Sequence, residues 1–173
     1  MAAARLGYRT IVLEPQADCP AAQVANEQII AAYDNADALA RLARLCSVVT
    51  YEFENVPEQA AAALAAQAKV FPPPAALGAA QDRLVEKSFL NGIGIPTAQF
   101  VAVDSDADLA GGLAAFGGSG VLKTRRMGYD GKGQRLFRNV STQETKGAYA
   151  ALGGVPLILE SLVPFVREIS VVA

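Results

Sequence analysis

Two apolar periods alternate along this chain, one helical and one extended. The opening MAAARLGYRTIVLE begins as Ala-rich helix, meets Gly7 at a C-cap position and turns into a strand over 9–14. In DNADALARLARLC (34–46), Leu39, Leu42 and Leu45 recur at helical spacing behind capping residues. SVVTYEF (47–53) reads as a strand, VPEQAAAALAAQ (56–67) as a helix with Pro57 near its first turn, and KVF (69–71) as a short strand. The alternation of strand and helix predicts a parallel, doubly wound sheet. PPP at 72–74 interrupts it. A helix over 81–94, a break at Pro96 and a strand over 97–103 follow, and a domain boundary is expected near 103, giving domains 1–103 and 104–173.

Beyond that boundary the pattern predicts a helix at 105–116, with Ser105 as N-cap and acids in its first turn, and a strand at 120–124. A strand at 133–138, a helix at 141–152, a strand at 156–160 and a last strand in REISVVA (167–173) complete it. A first strand and turn of the opening βαβ unit are absent, and the last strand is cut short. A piece of a longer protein is therefore expected.

Composition narrows the function classes. Apolar residues make up 52% of the 173, enough to build a core. Cys19 and Cys46 show no paired-motif spacing, which suggests a reducing compartment. No run is long and apolar enough for a membrane helix, and a cytoplasmic protein is expected. With no histidine, Ser–His, Cys–His and His-ligated metal mechanisms within this chain are excluded.

Charge is unevenly placed. Of 15 Lys and Arg residues, six fall in KTRRMGYDGKGQRLFR (123–138), against one acid, Asp130. Gly128, Gly131 and Gly133 interrupt this run, and a glycine-rich loop lets backbone N–H groups approach phosphate oxygens. It is neither Walker A, since no Ser or Thr follows Lys132, nor a dinucleotide turn, since it joins two strands and opens no helix. A hairpin folded over nucleotide phosphates remains, with Lys123 on the incoming strand as a point charge. The loop is expected to be mobile without an anion. A solvated Asp130-Gly131 hairpin is the structural alternative.

TYEFENVP (50–57), QDRLVEK (81–87), LKTRRMGYDGKGQ (122–134) and LILESLVPFVREISVV (157–172), together with DCPAAQVA (18–25), resemble the 5-(carboxyamino)imidazole ribonucleotide synthases, ATP-grasp enzymes of purine biosynthesis. The resemblance implies a truncated, doubly wound parallel-sheet pre-ATP-grasp domain followed by an incomplete α+β ATP-grasp domain. It places Arg83 and Lys123 on ATP, and Gly128, Tyr129, Asp130, Gly131, Lys132, Gly133 and Gln134 in the loop over the phosphates. Glu160, Ser161, Leu162 and Val163 would hold the adenine and Glu168 the ribose hydroxyls. Tyr129, Lys132 and Glu54 would lie near aminoimidazole ribonucleotide.

The resemblance also implies bicarbonate as co-substrate, a homodimer of the whole-length protein, and Mg²⁺ held by acids outside these residues. No metal ligand or catalytic residue is assigned within the chain. Without those acids the piece is expected to be inactive alone. Two other readings stay open. One is a different ATP-grasp ligase, such as a formate-dependent glycinamide ribonucleotide transformylase or a biotin-carboxylase-like enzyme. The other is a non-catalytic nucleotide-binding module. On residues alone, Glu52 and Glu54 follow a strand at the end where open α/β sheets bind ligands, and Lys87, four residues after Arg83, fits a solvated helix face.

Overall fold

The computed structural model describes residues 1–128 and 133–171. They divide into two compact units, Met1–Ala80 and Gln81–Ala173. The division falls ahead of the boundary expected near 103, because the strand before that point is built into the second unit's sheet.

In the first unit, helix α1 (Ala2–Arg5) ends at Gly7, where the amides of Gly7 and Tyr8 donate to the carbonyls of Ala4 and Ala3. Strand β1 (Ile11–Leu13) pairs in parallel with β2 (Glu27–Ile29), a strand the apolar pattern did not announce. Helix α2 (Ala36–Leu45) is capped by Asn35, whose side chain accepts from the Ala38 amide. Strand β3 (Val48–Val49) pairs in parallel with β4 (Lys69–Val70) across helix α3 (Glu58–Ala65). Helix α4 (Pro74–Gln81) follows at once on the proline run, where a break alone was expected.

The core gathers Ile29, Val49 and Val70 under Leu39 and Leu42 of α2 and Leu64 of α3. Leu45, read as part of the buried stripe, is 46% exposed, and Ala38 and Ala43 complete the stripe instead. Pairing in this unit is parallel, as expected, but in two separate two-stranded sheets.

The second unit opens with α5 (Arg83–Gly92), capped by Asp82. Its sheet has four strands, β5 (Phe100–Val103), β6 (Gly120–Thr124), β7 (Gln134–Phe137) and β8 (Leu157–Ser161), in the order β5-β8-β6-β7. All pairs are antiparallel. Helix α6 (Asp106–Ala115), capped by Ser105, covers one face with Leu109 and Leu113, packing on Leu122, Leu157 and Leu159.

The helix expected at 141–152 is broken. One turn of 3-10 helix (Thr142–Thr145) carries a Ser141–Glu144 capping box, and α7 (Ala148–Ala151) begins after Gly147 at φ 74°. The Asp106 carboxylate accepts from the amides of Gly147 (2.6 Å) and Tyr149 (3.0 Å), fixing the break from a neighbouring helix. The last expected strand is also corrected. Through Val171, no described residue after β8 is a strand, and Val166, Ile169 and Val171 are exposed. Alternation alone cannot make a strand without a ladder partner for the backbone.

Candidate functional site on the open face of the second sheet

Register places the chemistry. Phe100, Glu160, Val121 and Leu136 form one row across the four strands, and Ala102, Ile158, Lys123 and Gln134 form the next row on the same face. The opposite face is the leucine face that packs on α6. The second face thus presents Val121 and Leu136, edged by Lys123, Glu160 and Gln134, with Ile158 fully buried between them. Leu136 is 49% exposed.

Lys123 Nζ donates to Glu160 Oε2 at 3.0 Å, and Lys87 Nζ, from α5, lies 3.4 Å from the same oxygen. The cluster carries two ammonium groups and one carboxylate. That net charge of +1 suits an incoming anion.

The neck of the basic loop is strapped to the start of α5. Arg83 donates from Nη1 to the Thr124 carbonyl (2.7 Å) and from Nη2 to the Gly128 carbonyl (2.8 Å), while its own amide donates to the Arg125 carbonyl (3.0 Å). Arg125 grips the Asp82 carboxylate at 2.8–2.9 Å, and Arg126 donates to Gln81 Oε1 at 2.8 Å. Burial works to raise the Asp82 carboxyl, but the Arg125 guanidinium and the amides of Leu84 and Val85 outweigh it and hold the group below the usual carboxylate range. A Cβ on Gly128 would stand 2.9 Å from Thr124 Oγ1 and 3.0 Å from Arg83 Nη1, so a side chain there would displace the strap.

This geometry sorts the six cations of the basic stretch. Arg125 and Arg126 hold the neck, and Arg135 stacks over the Phe137 ring at 4.9 Å on the α6 face. Arg138 borders a cavity of about 670 Å³ beside Phe116 and segment 161–165, a cavity that neither Lys123 nor Glu160 lines. Lys123 points to the open face. Lys132, with Tyr129, Asp130 and Gly131, lies outside the described residues, so the expectation of loop mobility falls there too.

Other assigned residues are less gathered. Gly133 and Gln134 continue from the loop into β7, and Gln134 shares a row with Lys123. Ser161 ends β8, and Val163 and Glu168 lie in the exposed segment beyond it. Glu54 is exposed in the turn after β3, in the first unit, and β3 is shorter than the strand expected there. Among the described residues, no group of three or more His, Cys, Asp or Glu side chains could hold a metal ion, so these residues do not fit a magnesium site. No helix among them is long and apolar enough to cross a membrane. Lys87 was missed as a site residue. Its signal, a lysine four positions after Arg83, is indistinguishable in sequence from a solvated helix face.

Comparison with known proteins gives this geometry its context. Residues 1–81 match a ribonucleotide synthetase preATP-grasp domain and residues 88–173 an ATP-grasp domain. The N5-carboxyaminoimidazole ribonucleotide synthase of Brucella melitensis is 57% identical over 173 residues, covering 100% of this chain and 48% of that protein. The chain thus spans about half the length of the curated relatives it matches. The crystal structure of the Thermus thermophilus synthetase superposes with TM-score 0.83 at 43% identity, over 96% of this chain and 44% of the other. That of the Aspergillus clavatus synthase, in complex with ADP and 5-aminoimidazole ribonucleotide, gives 0.81 at 28% identity, over 95% and 43%. With a preATP-grasp domain leading into an ATP-grasp domain and these likenesses throughout, the chain belongs to the ATP-grasp family and stands with its N5-carboxyaminoimidazole ribonucleotide synthases.

Proposed function

We propose that the open face of the second unit's sheet receives the nucleotide of an ATP-dependent carboxylation of aminoimidazole ribonucleotide. The observation that carries this is the pair of same-face rows that set Lys123, Gln134 and Glu160 around an apolar floor. A flat purine stacks on Val121 and Leu136, and the backbone of the segment Glu160, Ser161, Leu162 and Val163 reads its edge. Glu168 takes the ribose hydroxyls, and Lys123 takes phosphate oxygens as a point charge. Arg83 shapes the loop neck from which Gly128 to Gln134 close over the phosphates. Glu54, Tyr129 and Lys132 serve the imidazole ribonucleotide.

In this reaction a bicarbonate oxygen takes the γ-phosphoryl group and ADP leaves. The exocyclic amine of aminoimidazole ribonucleotide then attacks the carboxyl carbon of carboxyphosphate, and inorganic phosphate departs. Magnesium supplies charge neutralisation in such transfers, and its ligands belong to residues other than those described. A homodimer and a cytoplasmic location belong to the same proposal and rest on the resemblance alone.

The test joins this chain to the remainder of the Brucella melitensis synthase and assays ADP release with aminoimidazole ribonucleotide and bicarbonate. Bicarbonate-dependent turnover is expected. Lys123→Ala should lower kcat/KM by the equivalent of about 2–5 kcal/mol, the usual loss of a desolvated charge contact, while Arg138→Ala changes it little. Equal losses would show that the cleft is misplaced. Turnover only with formate and glycinamide ribonucleotide would redirect the reading to another ligase.

A further inference from the structure

Lys87 does not behave as a solvated partner of Arg83. Its side chain is 18% exposed and ends 3.4 Å from Glu160 Oε2, the oxygen that Lys123 already approaches at 3.0 Å. Glu160 is itself 10% exposed, and a carboxylate so far removed from water needs a partner. One ammonium would meet that need, yet the structure supplies two from different elements, α5 and β6.

Resting on the nucleotide reading above, we propose that Lys87 is a positioning residue, the standing counter-ion of Glu160 that releases Lys123 to a phosphate. When Lys123 turns from Glu160 to a phosphate oxygen, Lys87 keeps the carboxylate paired. Without Lys87, the same movement leaves a nearly buried carboxylate unpaired and close to the incoming anion. Lys123 then stays locked in a neutral pair with Glu160. The arrangement makes Lys87 matter for the phosphates and not for the base.

The experiment measures ATP and adenosine binding to the 173-residue chain by calorimetry, with circular dichroism as a check on folding. Lys87→Met should weaken ATP about tenfold, the scale of one charge-assisted hydrogen bond, and leave adenosine within about twofold. Lys87→Arg should restore ATP binding, since it returns the counter-ion. In a Glu160→Gln background the Lys87→Met effect should vanish, because no carboxylate then competes for Lys123.

Glu160→Gln alone guards against a Lys87 variant that fails to fold. It should keep or raise the preference for ATP over adenosine, and a fall in that preference would overturn the proposal. Equal weakening of ATP and adenosine by Lys87→Met, or an effect that persists with Glu160→Gln, would also overturn it. The latter result would mean that Lys87 touches phosphate itself. If the unsubstituted chain binds no ATP, the nucleotide reading fails and this inference with it. If it binds ATP and Lys87→Met binds equally well, the counter-ion role alone fails.

Discussion

Asp82 holds two jobs at one position. It caps α5 through the amides of Leu84 and Val85, and it anchors Arg125 at the loop neck. Its carboxyl is depressed in the fold, so its contribution to stability is present above the unfolded value of about 3.9 and is lost as pH falls through the lower folded value. Asp82→Asn keeps a capping side chain but drops the charge, and should cost about 1–2 kcal/mol at pH 7. Urea titrations should show that difference closing below about pH 4; a difference constant from pH 7 to 3 would refute the pairing. Tyr33 gives the alkaline counterpart. Its hydroxyl donates to Glu14, and that bond, then burial, then the Glu14 charge raise it to about 12. Stability from this group is complete below the unfolded value of about 10 and is lost as pH rises through the folded one. Ultraviolet titration of the five tyrosines should show one ionising near 12, absent in Tyr33→Phe.

Neighbouring glycines in α6 face different surroundings. A Cβ at Gly112 would stand 2.7 Å from Val101 Cγ2 and 2.9 Å from Leu159 Cδ2, whereas one at Gly111 would meet nothing within 4 Å. The helix sits close on the sheet because position 112 has no side chain. Gly112→Ala should therefore destabilise the second unit by about 1–3 kcal/mol, the usual cost of overpacking. Gly111→Ala should stabilise it by about 0.5–1 kcal/mol, by removing backbone freedom from a mid-helix position. Thermal unfolding of the two variants should shift in opposite directions. Equal shifts would mean that α6 does not lie against Val101 and Leu159 as described.

Each unit buries its own core, Leu39, Leu42 and Val49 in the first and Leu109, Leu122 and Leu159 in the second. Chains with separate cores commonly depart from two-state unfolding. Leu39→Ala and Leu122→Ala should each cost about 2–5 kcal/mol, and calorimetry should show them lowering different parts of the transition. A single transition lowered equally by both would show that the units unfold as one.

Local chemistry made part of this protein readable from sequence. Ser105 caps the helix it was expected to cap, the helix read as capped within 34–46 is capped by Asn35, and Gly7 ends α1, because capping depends on neighbours within a few residues. The glycine-rich basic loop between strands 120–124 and 133–138 was legible for the same reason, as was the likeness to the ATP-grasp family. Tertiary structure decided the rest. Asp106, some forty residues away in sequence, helps hold the break in the expected helix at Gly147. Strand β2, Glu27, Gln28 and Ile29, is too short and polar to announce itself and exists through pairing with β1. Six cations in sixteen residues looked alike as letters, yet only register and packing could send Arg125 and Arg126 to the neck and Lys123 to the open face. Lys87 joins Glu160 because an antiparallel sheet and a helix from distant segments bring one carboxylate between two ammonium groups. No spacing along the chain encodes that meeting, since it depends on which strands pair and which face each side chain takes.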